Sequence, residues 1–218
     1  MISLVLVDAE LERIPGHCPA HSMPRVCGVE KGDLEQVLVL DSYIHRHILE
    51  GLESGSRRGR PDIVHSFLLL AQDSRPRREG WLRSYVHTRA DEVIQVGPEF
   101  MPERNYMSFL AQVSELLSQG TWGEGEKGMS LRENLTLTDL LKELNPDLCV
   151  ALSPHGDCKE PKKALRGAKE KHLAILIGGF PEGDYRSPVY QLADVVLSLG
   201  EELLTVPDVT SQVLKALP

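Results

Sequence analysis

Three short apolar runs in the last third of the chain are each followed at once by small residues. The runs are Leu148–Leu152, Leu173–Ile177 and Asp194–Leu199, and the residues that follow or close them are Ser153, Gly178-Gly179 and Gly200. A basic helix over 159–171 is predicted between the first two runs. Strands that alternate with helices form parallel sheets covered on both faces. The sequence therefore predicts an α/β fold, with residues 2–7 as a further buried strand.

The remaining segments supply further elements and a domain boundary. Strand 36–40 and helix 42–52, capped by Ser42, precede a helix over 62–73 with Pro61 in its first turn. We predict a β-hairpin over 82–96, then helices over 103–117, 138–144 (capped by Thr138) and 207–217. The whole chain, 1–218, is expected to be one domain, with a β-hairpin insertion over 75–100 and a mobile loop over the glycine-rich residues 119–130.

Composition excludes several classes of protein. A chain of 218 residues that is 41% hydrophobic and 26% charged can bury a core. No apolar run approaches the ~20 residues of a membrane span, and the first residues do not form a signal peptide, so we expect a cytoplasmic protein without membrane contact.

The four cysteines, at 18, 27, 149 and 158, do not form a disulfide framework. Their spacing, with His17 and His21 nearby, matches no standard zinc pattern, and no metal site is predicted.

Basic charge is concentrated in the middle of the chain. Residues 57–104 contain nine arginines, no lysine and seven acids, which gives this segment a net charge of +2. Since the whole chain has a net charge of −8, the rest of the chain carries −10. A guanidinium group binds phosphate through two parallel hydrogen bonds and stacks on bases, which an ammonium group does not. This pattern favours a surface that binds an anionic polymer; the alternative is an ordinary solvated face.

The loops after the three late strands predict a pocket. They are 153–156, 178–183 and 197–200, and ligands of open parallel sheets bind at the carboxyl ends of strands. The alternative is that they are only turns leading into helices. None of these loops contains G-x-G-x-x-G, a P-loop or a lysine. Carboxylates lie in or beside them at 182, 184, 201 and 202, which would repel a pyrophosphate and tolerate a ribose, an amino group or a sulfonium, as in S-adenosylmethionine.

The tripeptide Arg60-Pro61-Asp62 is a second candidate site. Pro61 fixes the backbone between the two charges, so Asp62 can brace the guanidinium of Arg60. The alternative is a salt bridge that only stabilises the start of a helix. Arg104, close to Tyr106, can bind a phosphate or stack on a base, or it is simply a surface residue. Together the pocket and the arginines indicate an enzyme that modifies nucleic acid.

The chain resembles one known family. Blocks 58–65 (RGRPDIVH), 67–74 (FLLLAQDS), 85–89 (YVHTR), 91–94 (DEVI) and 177–184 (IGGFPEGD), with Pro98 and 104–106 (RNY), are similar to the ribosome-biogenesis pseudouridine-N1 methyltransferases, in particular to archaeal members. This is a branch of the SPOUT, or α/β-knot, class. The resemblance implies a trefoil-knotted parallel sheet flanked by helices. It also implies S-adenosylmethionine-dependent methylation of N1 of a pseudouridine in small-subunit ribosomal RNA, a homodimer, and ribosomal proteins as partners during assembly.

The resemblance also implies roles for individual residues. The cofactor-binding residues would be Ser153, Gly178, Gly183, Leu197, Ser198, Leu199, Gly200, Glu201, Glu202 and Leu204. Arg60 would bind RNA at the catalytic centre, with Asp62 to steady it. Relatives have three arginines after the hairpin, of which only Arg104 is present here, with Met101 and Ser108 at the other two RNA-contacting places. RNA affinity there is then weaker, or it is supplied by Arg75, Arg77 and Arg78.

Three other functions remain open from the sequence. The first is a non-catalytic RNA-binding assembly factor that keeps the cofactor as a structural ligand. The second is a SPOUT methyltransferase that acts on another RNA nucleotide. The third is a nucleotide-binding α/β domain, which the acidic, lysine-free loops disfavour.

Overall fold

The computed structural model describes residues 1–15, 39–157, 160–165, 170–200 and 202–217. The strands are β1 Ile2–Ala9, β2 Leu82–Thr88, β3 Val93–Val96, β4 Thr121–Trp122, β5 Met129–Arg132, β6 Leu148–Leu152, β7 Leu173–Gly178 and β8 Val195–Leu197. The helices are α1 Arg46–Leu49, α2 Pro61–Gln72, α3 Arg75–Arg78, α4 Tyr106–Gln119, α5 Leu137–Leu144, α6 Pro161–Ala164, α7 Val189–Leu192 and α8 Val206–Ala216.

All eight described strands form one mixed sheet in the order β4-β5-β3-β2-β1-β7-β6-β8. The strands from β2 to β8 in this order are paired in parallel, as predicted. The other pairs, β2–β3, β3–β5 and β5–β4, are antiparallel. The predicted hairpin supplies the antiparallel pair β2–β3, since a short turn can join only antiparallel neighbours.

Strand β1 lies in the middle of this sheet and is buried on both faces. Leu4 and Leu6 belong to a core shared with α2, α4 and α8. Val5 and Val7 point to the opposite face and pack in a second core with α5. The continuous apolar run from residue 2 to residue 7 therefore reflects two covered faces, which is typical of a parallel strand.

The predicted hairpin is present, and its first strand belongs to the main sheet. Thr88 begins the turn, where its Oγ1 accepts the N–H groups of Ala90 and Glu92, and Asp91 adopts a left-handed φ of 54°. Its first strand, β2, pairs in parallel with β1, with Leu82 opposite Ile2. The hairpin is built into the main sheet because Leu82 and Val86 are buried in the core that β1 shares.

The segment predicted as a mobile loop, 119–130, contains regular structure. This segment contains β4, a 3-10 turn over Gly125–Lys127 and the start of β5, which continues the sheet. The glycines there permit close backbone contacts: a Cβ at Gly128 would lie 2.5 Å from the carbonyl oxygen of Trp122. Glycine in this strand pair marks a close approach and left-handed turns rather than a lack of structure.

Several predicted boundaries are shifted by local capping. Helix α1 is shorter than 42–52, because the carboxylate of Asp41, and not Ser42, accepts the N–H groups of Tyr43 and Ile44. Helix α4 begins after Asn105, whose side chain accepts the N–H of Ser108. The predicted strand 36–40 and basic helix 159–171 lie partly outside the described residues. Within the described chain, no helix is long and apolar enough to cross a membrane.

Helix α5 begins two residues earlier than predicted. Thr136, not Thr138, is its N-cap, and the hydroxyl of Thr136 accepts the N–H of Asp139 at 3.2 Å. Both threonines precede an apolar stretch, but only Thr136 has an acidic residue three positions later to complete a capping box.

We expect Thr136→Ala to lower the free energy of unfolding by ~1 kcal/mol, because it removes the acceptor of the Asp139 N–H in the first turn of α5. Thr138→Ala is the matched control, and it should be neutral or slightly stabilising since alanine favours a helix interior. Urea titration of both variants measures the difference. Equal losses in the two variants would contradict the assigned cap.

Candidate functional site

A cleft of about 370 Å³ lies at the carboxyl ends of β6, β7 and β8. The structure brings most of the predicted cofactor residues together around it: Ser153, Gly178, Gly183, Leu197, Leu199, Gly200, Glu202 and Leu204. Ser198 does not line the cleft; it is buried behind it and donates from its hydroxyl to the carbonyl of Gly200 at 2.8 Å. Glu201 lies outside the described residues. The three loops thus line one cleft, which favours the predicted pocket over the alternative that they are only turns leading into helices.

Glycines allow the loops around the cleft to approach one another. A Cβ at Gly156 would lie 2.6 Å from the backbone nitrogen of Ser198, so the loops after β6 and β8 touch through their backbones. At Gly183, φ is +81°, a conformation that side chains rarely adopt. Glycine is therefore required for steric reasons at Gly156 and is favoured by the backbone conformation at Gly183.

The lining of the cleft is apolar with an acidic rim. Its apolar side chains include Leu152, Ile177, Leu197, Val206 and Val209. Its carboxylates are Glu182, Asp184 and Glu202, and no described lining residue is Lys or Arg. Apolar walls suit a planar ring, and carboxylates suit an ammonium or sulfonium group. They disfavour a phosphate, so the donor set fits an adenosyl sulfonium cofactor better than a nucleotide.

Two tyrosines join the loops that form the cleft. The hydroxyl of Tyr190 donates to Asp184 at 2.7 Å and lies 3.0 Å from the hydroxyl of Ser153. Tyr185 donates to the carbonyl of Leu152 at 2.7 Å, and its burial raises its pKa. Sequence reasoning missed both, although each follows the Gly-rich turn closely in the sequence.

Arg60 and Asp62 form the predicted pair at the start of α2. Two hydrogen bonds join them, from Nε to Oδ1 at 2.8 Å and from Nη2 to Oδ2 at 2.7 Å. This hydrogen bonding raises the pKa of Arg60. Beside them, the hydroxyl of Tyr106 donates to the buried carboxylate of Asp41. The guanidinium of Arg60 is therefore held in one plane while about a quarter of the side chain, 28%, stays exposed.

The other predicted RNA contacts lie on one segment next to α2. Met101, Arg104 and Ser108 are all exposed, at or just before the first turn of α4. This segment is tied to α2 because His65 donates from Nε2 to the carbonyl of Glu103 at 2.7 Å. The segment that carries Met101, Arg104 and Ser108 is thus held against the helix that Arg60 precedes.

Most arginines of segment 57–104 have acceptors within the protein, which narrows the predicted RNA-binding surface. Three of them, Arg57, Arg58 and Arg89, are 11–15% exposed and pair with Glu10 and Glu12 after β1. They are structural and unavailable to RNA. The suggested substitutes lie at or near the surface on α3 and also have partners: Arg75 with Glu79, Arg77 with Gln72 and Met101, and Arg78 with Asp73.

The arginine segment is docked onto the cleft, a contact that the sequence did not reveal. Arg57 donates from Nη1 to the carbonyl of Asp184 at 2.7 Å, and its guanidinium carbon lies 4.0 Å from the centre of the Phe180 ring. The hydroxyl of Ser56 donates to Glu182 at 2.7 Å. The two features that the sequence presents far apart therefore meet in the fold.

The cysteines do not contribute to this site in the described chain. No group of three or more His, Cys, Asp or Glu side chains there is arranged to hold a metal ion. Cys149 is a free, buried thiol whose pKa burial raises to about 12, so it is chemically inert. His17, Cys18, His21, Cys27 and Cys158 lie outside the described residues, and their pairing stays open.

Comparisons with known proteins agree with this geometry. The model of the EMG1/NEP1 methyltransferase family matches residues 4–217. The chain is 38% identical over 192 residues to the ribosomal RNA small subunit methyltransferase Nep1 of Thermococcus onnurineus, which covers 87% of this chain and 86% of that protein. It is 37% identical over 216 residues to the protein of the same name from Pyrococcus furiosus, with 98% and 94% covered.

A solved structure has the same fold. The crystal structure of Archaeoglobus fulgidus Nep1 bound to S-adenosylhomocysteine matches with a TM-score of 0.82 and 30% identity, over 98% of this chain and 95% of that one. These matches confirm the predicted fold class and the resemblance seen in the sequence. The chain belongs to the EMG1/NEP1 methyltransferase family.

Proposed function

We propose that this protein transfers a methyl group from S-adenosylmethionine to N1 of a pseudouridine in small-subunit ribosomal RNA. The observation that carries the proposal is the cleft after β6, β7 and β8, apolar with an acidic rim. A relative of the same fold binds S-adenosylhomocysteine, the product that remains after methyl transfer, and the relatives are named small-subunit ribosomal RNA methyltransferases.

The residues around the cleft would hold the cofactor through shape and backbone groups. The loops at 153, 178–183, 197–200 and 202–204 surround it, and Leu204 and Val209 supply apolar surface for the adenine. Glu182 and Asp184 supply negative charge for the amino group or the sulfonium. When bound, the cofactor supplies a methyl group on a positively charged sulfur.

The substrate atom follows from the chemistry of the nucleoside. Pseudouridine is joined to its sugar through carbon, so N1 carries a hydrogen and can be methylated, whereas N1 of uridine is blocked by the glycosidic bond. The nucleotide must leave its stack at a cost of a few kcal/mol. Alignment of N1 with the methyl group can offset about 7–11 kcal/mol of the barrier. Positioning therefore supplies most of the catalysis.

Arg60 is suited to bind the substrate as the N1 proton leaves. Its guanidinium is fixed by Asp62 and partly exposed, so it can hold a phosphate or a base carbonyl and stabilise developing negative charge. Both carboxylate oxygens of Asp62 accept from Arg60, which favours a bracing role over that of general base. Homodimer formation and ribosomal-protein partners stay predictions from the resemblance, and a cytoplasmic location stays a prediction from the composition.

Replacement of Arg60 tests its role directly. We expect Arg60→Ala to lower kcat about 10²–10³-fold, because a preorganised positive group is lost. Affinity for S-adenosylhomocysteine, measured by calorimetry, should not change. Arg132→Ala, which removes an exposed arginine paired with Glu143 outside the proposed site, is the control and should keep full activity. If Arg60→Ala lost affinity for the cofactor and kept its affinity for RNA, the assignment of Arg60 as an RNA contact would be wrong.

Specificity is tested with two RNA hairpins that differ at one nucleotide. The pseudouridine hairpin should gain the mass of one methyl group in the presence of S-adenosylmethionine, and the uridine hairpin should not, because its N1 has no hydrogen. Mass spectrometry of the digested RNA locates the methyl group. Methylation of both hairpins would indicate another target atom, and methylation of neither would favour the assembly-factor alternative.

The salt dependence of RNA binding tests the contact segment. Arg104→Ala should reduce the slope of log affinity against log salt by about one, as expected for the loss of one phosphate contact. Arg132→Ala is the control: Arg132 is bound to Glu143 by two hydrogen bonds at the far end of the sheet. Filter binding at several salt concentrations gives both slopes, and an unchanged slope for Arg104→Ala would remove this residue from the RNA-binding surface.

A further inference from the structure

Arg57 contacts both parts of the proposed active site. Its Nε donates to the carboxylate of Glu10 at 2.6 Å, and its Nη1 donates to the carbonyl of Asp184 in the loop after β7. Its guanidinium also lies over the ring of Phe180. Because the side chain is 11% exposed, these contacts are shielded from solvent.

The backbone of Glu10 joins the same two parts. Its N–H donates to the carbonyl of Gly179 at 3.2 Å, and its carbonyl accepts the N–H of Arg60 at 2.7 Å. The cleft loop and the RNA-binding arginine are therefore bonded to one residue at the end of β1. Arg57 in turn fixes the side chain of that residue.

This arrangement is not optimal for stability. Nη2 of Arg57 is buried and has no hydrogen-bond acceptor among the described residues. Glu10 is fully buried, and desolvation raises its pKa in spite of Arg57 and Arg89. Buried donors without acceptors destabilise a protein, and buried ion pairs contribute little to its stability. The Arg57–Glu10 pair is therefore better explained by the geometry that it fixes than by a contribution to stability.

We propose that Arg57 is a positioning residue that fixes the cleft loop 178–184 relative to Arg60, and so sets the approach of the RNA base to the methyl group. The proposal rests on the proposed function, since it takes the cleft as the cofactor site and Arg60 as an RNA contact. Arg57 does not line the cleft itself. It acts through Asp184 on one side and through Glu10 on the other.

The double variant E10Q/R57M tests this role. Both partners are replaced together, so that the removal of Arg57 does not leave the buried carboxylate of Glu10 without this partner. We expect kcat to fall about 10²-fold, because a misplacement of about 1 Å has effects of this size. Affinity for S-adenosylhomocysteine should fall about tenfold, the equivalent of one lost hydrogen bond. The KM for RNA should stay unchanged, since Arg60 and Asp62 remain bonded to each other.

A matched control and a conservative variant separate positioning from folding. E143Q/R132M changes an exposed pair of the same chemistry between α5 and β5 and should leave every value unchanged. R57K keeps the positive charge beside Glu10 but lacks the planar fork, so it should keep the melting temperature and still lose kcat. Wild-type kcat and cofactor affinity in E10Q/R57M would overturn the proposal, as would losses that only follow the unfolded fraction.

Failure of this proposal can be told apart from failure of the proposed function. Calorimetry with S-adenosylhomocysteine needs no RNA, so its result holds whichever nucleotide is methylated. If the wild type methylates the pseudouridine hairpin while E10Q/R57M equals it, only the role of Arg57 is wrong. If the wild type methylates another nucleotide, the kcat comparison is repeated with that RNA.

Discussion

The carboxylate of Glu10 has no exposed surface, and Arg57 and Arg89 approach it from the segments that follow α1 and β2. A charge in the interior is tolerated only when such partners surround it. The position of the arginine segment is thus dictated by a residue at the end of the central strand. Through its backbone, Glu10 is also bonded to Gly179 of the cleft loop and to Arg60.

The same interaction limits the surface with which this acidic protein can bind a polyanion. Arg57, Arg58 and Arg89 pair with internal carboxylates, so the basic composition of segment 57–104 overstates the charge presented to solvent. The more exposed arginines of this segment include Arg60, Arg75, Arg78 and Arg104. A polyanion can be steered by a local basic patch even when the net charge of the chain is −8.

The sequence predicted well what depends on local pattern. Apolar runs gave β1, β6 and β7, and small residues after strands gave the cleft, because both signals are set within a few positions of the chain. It failed where a distant partner decides. The salt bridge of Arg57 depends on Glu10, which is distant in the sequence. The pairing of β2 with β1 likewise joins residues that are more than 70 positions apart. The glycines of 119–130 did not reveal the strands there, because composition cannot distinguish a close backbone contact from a lack of structure.

The parallel pairing of β1 with β7 also constrains the biosynthesis of the protein. Leu4 lies opposite Ile175, so β1 stays without one of its neighbours until β7 has been translated. Contacts of such sequence separation form slowly and expose apolar strand edges meanwhile. The nascent amino-terminal half therefore has to be shielded from aggregation for most of its synthesis.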